Sequence, residues 1–219
     1  MGNDPYPRYD DDDWCCGLNC FPADAKVETK TQTKYVKDLE VGDQVKVILE
    51  DGTIDFSEVW VIAHDDPSST ATYLILSTST HTLPISHHHF VPVTNEKKST
   101  CNFEYKMAAE IKVGDYLWTT IGGENQPTTE MVINIEKVEK KGVFAPFTKN
   151  GCILVNGVQA SVYAEVKPAL AHPALAGLRE KYDVTPKAEM KAFLEPNENG
   201  VPKVFDEAFK MLRQLIPPY

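Results

Sequence analysis

A chain of 219 residues with 42% apolar and 25% charged side chains can bury one large β-domain or two small ones, and its composition is not that of a disordered protein. The formal net charge of −10 comes with no stripe of Lys and Arg, so nucleic acid is not an expected partner: phosphate binding needs clustered cations. No apolar run approaches the roughly 20 residues that span a bilayer, and the residues after Met1 are polar and acidic rather than the apolar segment of a secretory signal.

Residues 1–19 carry Pro5, Pro7 and the run Asp10-Asp11-Asp12-Asp13, and read as an exposed leader. Five cysteines follow the same chain: Cys15, Cys16, Cys20, Cys101 and Cys152. An odd count leaves at least one free thiol, and a bridge between neighbours Cys15 and Cys16 would be strained.

From Ala25 the pattern turns to short β-type runs. Val45-Lys46-Val47-Ile48-Leu49 is closed by the hairpin signal Asp51-Gly52. Val59-Trp60-Val61-Ile62 follows, then a turn expected at Asp65-Asp66-Pro67, then Tyr73-Leu74-Ile75-Leu76. Further runs are Tyr116-Leu117-Trp118, Met131-Val132-Ile133 and Cys152-Ile153-Leu154-Val155. Short, frequent and β-branched, they predict an all-β domain. The chain also repeats itself: Val41-Gly42-Asp43 and Val113-Gly114-Asp115 share an offset of 72 residues with Ser57-Glu58-Val59 and Thr129-Glu130-Met131. Two landmarks at one offset predict a duplicated β-subdomain with pseudo-two-fold symmetry and a site where the halves meet. Beyond Val166 the segment from Ala169 to Arg179 is rich in Ala and Leu, with Pro173 placed to start or kink a helix. Phe205, Phe209, Leu212 and Ile216 make one helical stripe. Residues 167–219 therefore read as a small helical appendage.

Two features carry chemistry. Cys20 stands where the leader meets the folded domain, and a thiol there can turn back on the carbonyl of Asn19. Attack would exchange the Asn19–Cys20 amide for a thioester, an uphill step that needs a proton donor for the departing amine and a second nucleophile. Four of six histidines fall close together, at His81, His87, His88 and His89. In Ile85-Ser86-His87-His88-His89-Phe90, strand alternation would send His87 and His89 to one face and Ser86 and His88 to the other, unless a turn intervenes. A zinc site is the competing reading of such a cluster, although adjacent strand residues diverge.

Cys20-Phe21-Pro22-Ala23-Asp24-Ala25-Lys26-Val27, Val36-Lys37-Asp38-Leu39-Glu40-Val41-Gly42-Asp43 and Phe56-Ser57-Glu58-Val59 resemble the opening of the Hedgehog C-terminal autoprocessing domain. The similarity continues from Gly142 to Gly151, then through Ile153-Leu154-Val155-Asn156-Gly157-Val158-Gln159-Ala160-Ser161-Val162-Tyr163-Ala164, and more faintly at Leu170-Ala171-His172. The resemblance implies the Hint fold shared with inteins: all-β, flattened and pseudo-symmetric, over residues 20–166. It implies Cys20 as nucleophile, and a Thr-x-x-His motif matched by Ser86-His87-His88-His89. His89 would then protonate the amine, and Ser86 would hydrogen-bond near the same amide.

Where sterol-transferring members carry an Asp that activates the sterol hydroxyl, this chain has His64, a candidate base for the second step. Val162 stands where the family has a cysteine, so a thiol partner for Cys20 is not expected there. The His-Asn ending of inteins has no counterpart, so cleavage without splicing is expected. The substrate would be the chain's own N-terminal flank and the acceptor water, a thiol or a sterol-like lipid. No cofactor is implied, the unit is expected to act as a monomer in cis, and the family implies a secretory route for the precursor. Residues 167–219 would sit where an adduct-recognition segment lies. A lipid contact and plain core packing of a C-terminal helix both fit its apolar stripe.

Overall fold

The computed structural model describes residues 21–94, 104–120, 126–205 and 207–208. The expected leader, Asn19, Cys15, Cys16, Cys20, Cys101 and the stripe beyond Ala208 lie outside the described residues.

Twelve strands are described: β1 (Lys26–Glu28), β2 (Thr33–Tyr35), β3 (Gln44–Ile48), β4 (Ile54–Ser77), β5 (Thr82–Ile85), β6 (Phe90–Thr94), β7 (Glu104–Met107), β8 (Tyr116–Thr120), β9 (Pro127–Met131), β10 (Asn134–Thr148), β11 (Cys152–Val155) and β12 (Val158–Ser161). Three helices follow: α1 (Pro168–Ala174), α2 (Ala176–Val184) and α3 (Lys187–Phe193). β4 and β10 pair antiparallel along nearly their whole length, with β3 and β5 also on β4. A second sheet runs β11-β12-β8-β6-β7, with β9 on β8, and β1 pairs with β2. All-β architecture with a small helical end is what the run pattern predicted.

The duplication is visible bond by bond. Gly42 and Gly114 both adopt the left-handed backbone that favours glycine, φ +101° and +103°. In each half the following Asp carboxylate accepts a backbone N–H three residues back: Glu40 N–H to Asp43 Oδ2 at 2.9 Å and Lys112 N–H to Asp115 Oδ2 at 3.0 Å. Each Asp also holds a lysine from the preceding strand, Lys34 on Asp43 at 2.8 Å and Lys106 on Asp115 at 3.1 Å. Gly42 N–H donates to Val59 O, and Gly114 N–H to Val132 O. A sequence repeat thus becomes a structural one because its signature residues build the same turn twice.

Two expectations need correction. No turn forms at Asp65-Asp66-Pro67, which lies inside β4. The register skips there, from Thr70 opposite Lys141 to Asp66 opposite Val143. Pro67, which has no N–H to give a ladder, falls in that bulge. Asp66 fills the gap by accepting the N–H groups of Ser68 at 2.8 Å and Ser69 at 3.1 Å. Hydrogen bonds from both serine hydroxyls, and then these backbone bonds, hold its carboxyl below the usual range. The turn signal was local chemistry absorbed by a long ribbon. The run Met131-Val132-Ile133 is also not one strand: β9 ends at Met131, and β10 starts at Asn134.

Pro168 opens α1 at its first turn, where a missing N–H costs nothing, and Pro173 lies inside the same short helix just before it gives way to α2. The described part of the appendage is packed rather than loose. Ala171, Leu175, Met190, Leu194, Val201 and Phe205 join the same core as Trp60, Phe147 and Tyr163. Phe205 is fully buried, its ring 5.5 Å from Trp60 and 5.7 Å from Phe147 between centroids. A buried Phe of this kind contributes about 1.5–3 kcal/mol. Of the two readings offered for this segment, core packing describes these residues.

Candidate active site

The N-terminal edge of the described chain is Phe21, the residue after Cys20. Its N–H donates to Phe144 O at 2.9 Å, and Phe144 N–H returns the bond at 3.0 Å. Ala23 N–H adds a third bond to Lys141 O at 3.0 Å. Phe144 in turn lies opposite Asp65 in the β4–β10 register. The segment leading out of Cys20 is therefore stitched to β10 beside the part of β4 that carries His64.

Phe21 is fully buried, and His89 packs on it with ring centroids 4.7 Å apart and planes tilted by 46°. His89 is 1% exposed. It comes from a turn, not a strand: β5 ends at Ile85, and His89 N–H bonds back to Ser86 O at 3.2 Å. The alternation expected for Ser86 to His89 is thus replaced by the intervening turn, which turns Ser86 and His89 inward, leaves His87 half-buried and exposes His88. Three consecutive imidazoles with such different environments do not converge on one ion, and no group of three His, Cys, Asp or Glu side chains fit to hold a metal gathers among the described residues.

The same turn exists in the first repeat. Ala25 N–H bonds to Pro22 O at 3.2 Å, as His89 N–H does to Ser86 O. Ala25 O accepts from Val36 N–H at 2.8 Å, and His89 O accepts from Ala108 N–H at the same distance. Ala25 and His89 are therefore equivalent positions, and the duplicated frame places the Phe21 turn against the His89 turn.

His89 Nε2 lies 2.7 Å from the backbone carbonyl of Ser161. A carbonyl only accepts, so Nε2 carries the hydrogen, and Nδ1 is the nitrogen able to take or deliver a proton. Sequence reading missed this carbonyl, because a main-chain acceptor has no residue type to announce it.

His64 is 3% exposed on β4. The backbone near Gly200 covers it: Asp65 N–H donates to Gly200 O at 2.9 Å, and a Cβ at Gly200 would stand 3.2 Å from His64 Cδ2 and 2.5 Å from Asp65 O. Beside it, partial burial raises the Asp65 carboxyl above the usual range, with the His64 charge pulling the other way. Cys152 is the described thiol, and it does not suit a nucleophile: burial pushes its pKa up, and Tyr105 Oη stands 3.4 Å from Sγ. Val162 is buried at 3% exposure where the resemblance has a cysteine.

A family model described as the Hint module matches residues 13–201. The chain belongs to the Hint family. Warthog protein 6 of Caenorhabditis elegans is 28% identical to this Hint chain over 151 residues, 68% of the chain and 25% of that protein. Sonic hedgehog protein of Xenopus laevis is 30% identical over 166 residues, 73% of the chain and 37% of that protein. The Hint chain thus spans about a quarter to two fifths of these relatives. Among solved structures, the Ssp DnaB mini-intein variant M86 has a TM-score of 0.56 at 12% identity, covering 68% of this chain and 96% of that one. A DnaB intein from Synechocystis sp. PCC 6803 has a TM-score of 0.54 at 12% identity, with 68% and 99% covered. These two show the fold alone. Autoprocessing in general is the activity that membership of the Hint family brings, and the His-lined binding module is not favoured.

Proposed function

We propose that the chain cuts itself between Asn19 and Cys20. The Cys20 thiol attacks the Asn19 carbonyl carbon, an S–C bond forms and the C–N bond breaks. Nδ1 of His89 takes the thiol proton and delivers it to the α-amine of Cys20 as the C–N bond breaks. Ser86 hydrogen-bonds near the same amide. A second nucleophile, which is water, a thiol or a sterol-like hydroxyl, then takes the acyl group, with His64 as its base and no splicing. The N-terminal flank is the substrate, the unit works in cis as a monomer, and the precursor follows the secretory route.

One observation carries the reading. His89 is fixed by the Ser161 carbonyl through Nε2 and packed against the ring of Phe21, one residue from the proposed nucleophile. Fixing one ring nitrogen on a carbonyl commits the other to proton transfer, and the amine it must protonate belongs to the residue next to the ring it touches.

Incubation of the full chain with dithiothreitol, read by intact mass, tests this. Scission at Asn19–Cys20 is expected in the parent and none in Cys20→Ala. Scission that persists in Cys20→Ala overturns the assignment.

A further inference from the structure

We propose that His172 is a positioning residue for His89, acting through Tyr163. The inference deepens the reading above and rests on it for its kinetic consequence.

The path is short. His89 Nε2 is held by Ser161 O, and two residues on Tyr163 is tied to Ser161 itself and to the residue after His89: its N–H donates to Ser161 Oγ at 2.9 Å, and its carbonyl accepts from Phe90 N–H at 3.2 Å. Tyr163 is 1% exposed, and its ring stands edge-on to Phe147 with centroids 5.3 Å apart. Its hydroxyl reaches His172 Nδ1 at 2.7 Å, in the middle of α1. The segment that supplies the acceptor for His89 is thus anchored at its far end by a side chain of the C-terminal helices.

A neutral His172 gives every donor in this network an acceptor. Arg179 Nη1 donates to the Tyr163 hydroxyl at 3.5 Å, and a guanidinium cannot accept. The hydroxyl oxygen accepts there, and its own hydrogen goes to Nδ1 of an unprotonated His172. Burial first and the Arg179 charge second lower the pKa of His172, in keeping with that state. Burial also pushes the Tyr163 hydroxyl well above its ordinary range, so it stays a donor.

Gly151 makes room for the pair. A Cβ there would stand 2.9 Å from His172 Nδ1 and 3.1 Å from Tyr163 Cε2. Its carbonyl meanwhile accepts Val162 N–H at 3.0 Å, between Ser161 and Tyr163. Loss of the imidazole leaves a buried hydroxyl without its acceptor, and rotation of the tyrosine to find another turns the peptide on which His89 depends. Partial misplacement of a proton donor is expected to slow the first step about 10-fold, below the ~100-fold that follows a 1 Å displacement.

The test uses full-length chains. In a Cys20→Ala background, long-range ¹H–¹⁵N correlation of the imidazoles reads the tautomer of His89. A clean Nε2–H tautomer is expected there and with His172→Asn, whose amide oxygen falls where Nδ1 stands, and a mixed or broadened signal with His172→Ala. With Cys20 intact, His172→Ala should cleave about 10-fold more slowly and His172→Asn near the parent rate. Leu175→Ala, a buried residue of the same stretch with no hydrogen-bonding atom, should lower Tm without slowing cleavage. An unchanged His89 signal in His172→Ala overturns the proposal, as does equal slowing in Leu175→Ala. If the parent does not cleave at all, the preceding reading fails, and the tautomer measurement still decides this one.

Discussion

Gly142→Ala probes how the cleavage junction is held. Gly142 has φ +86°, and its carbonyl is fixed by the Tyr73 hydroxyl at 2.7 Å. An added Cβ would stand 2.7 Å from both Ala23 Cβ and Phe144 Cε2 and 3.1 Å from Ala23 N. A left-handed alanine costs about 1–2 kcal/mol and the overpacked contact about 1–3 kcal/mol, so a loss of about 2–5 kcal/mol is expected in urea unfolding of the uncleavable Cys20→Ala chain. The cheapest escape is to lift residues 21–23 off β10, because three backbone bonds hold them and Phe144 is locked into the β4 register. Each 1.4 kcal/mol relieved that way removes about tenfold from the population docked for reaction, so dithiothreitol cleavage should slow by about 10- to 100-fold. The rate would be read by intact mass over time. Full destabilisation with an unchanged rate would refute the reasoning, because the strain would then have gone elsewhere and residues 21–23 would not position the nucleophile.

His89→Ala should slow thioester formation by about 10²–10⁴, while His87→Ala and His88→Ala stay near the parent. A crippling His87→Ala would shift the motif register by two residues. His64→Ala should spare dithiothreitol cleavage, since that reagent supplies its own thiolate, and should reduce spontaneous cleavage; His64→Asp compared with the parent for sterol attached to the released fragment tests the acceptor directly. Stability should fall with pH below about 6.5, the ordinary histidine value, because the lowered pKa of His172 lets the unfolded chain bind its proton first. Urea titrations should show that slope flattened in His172→Asn. A separate loss is expected below about 4.5, the ordinary carboxylate value, for Glu130. Burial works against its lowered pKa, but hydrogen bonds from Thr78, Thr80 and His81 outweigh it.

What the sequence revealed and what it hid divide along the reach of the interactions. The Gly42-Asp43 and Gly114-Asp115 turns were legible because each is closed by atoms three residues apart, and glycine at positive φ marks itself. The helical character of the segment after Val166 was legible from its Ala and Leu content, but Pro173, read as a start or a kink, lies inside α1, which Pro168 opens. Asp65-Asp66-Pro67 misled because its turn chemistry is equally local, yet the pairing of Asp65 with Phe144 and Asp66 with Val143, far along the chain, decides the backbone. The histidine cluster could be narrowed to His89 by resemblance, but the inward and outward division came from a turn that alternation could not foresee. Nothing marked the Ser161 carbonyl, a main-chain atom 72 residues from the imidazole it holds. Docking of Phe205 on Trp60 and Phe147 was also hidden, since a stripe reports an apolar face and not what lies against it.

The equivalence of Ala25 and His89 has a consequence for how such a molecule can be altered. Two copies of one turn frame carry unlike contents: Pro22-Ala23-Asp24-Ala25 in the first, Ser86-His87-His88-His89 in the second. Backbone bonds of matching length hold both, so the frame is indifferent to the side chains it presents. Chemistry in this architecture is therefore a property of four-residue inserts and can be rewritten without redesigning the sheets. Grafting Ser and His at positions 22 and 25 while blanking 86 and 89 would ask whether reactivity follows the insert or the half of the molecule that bears it.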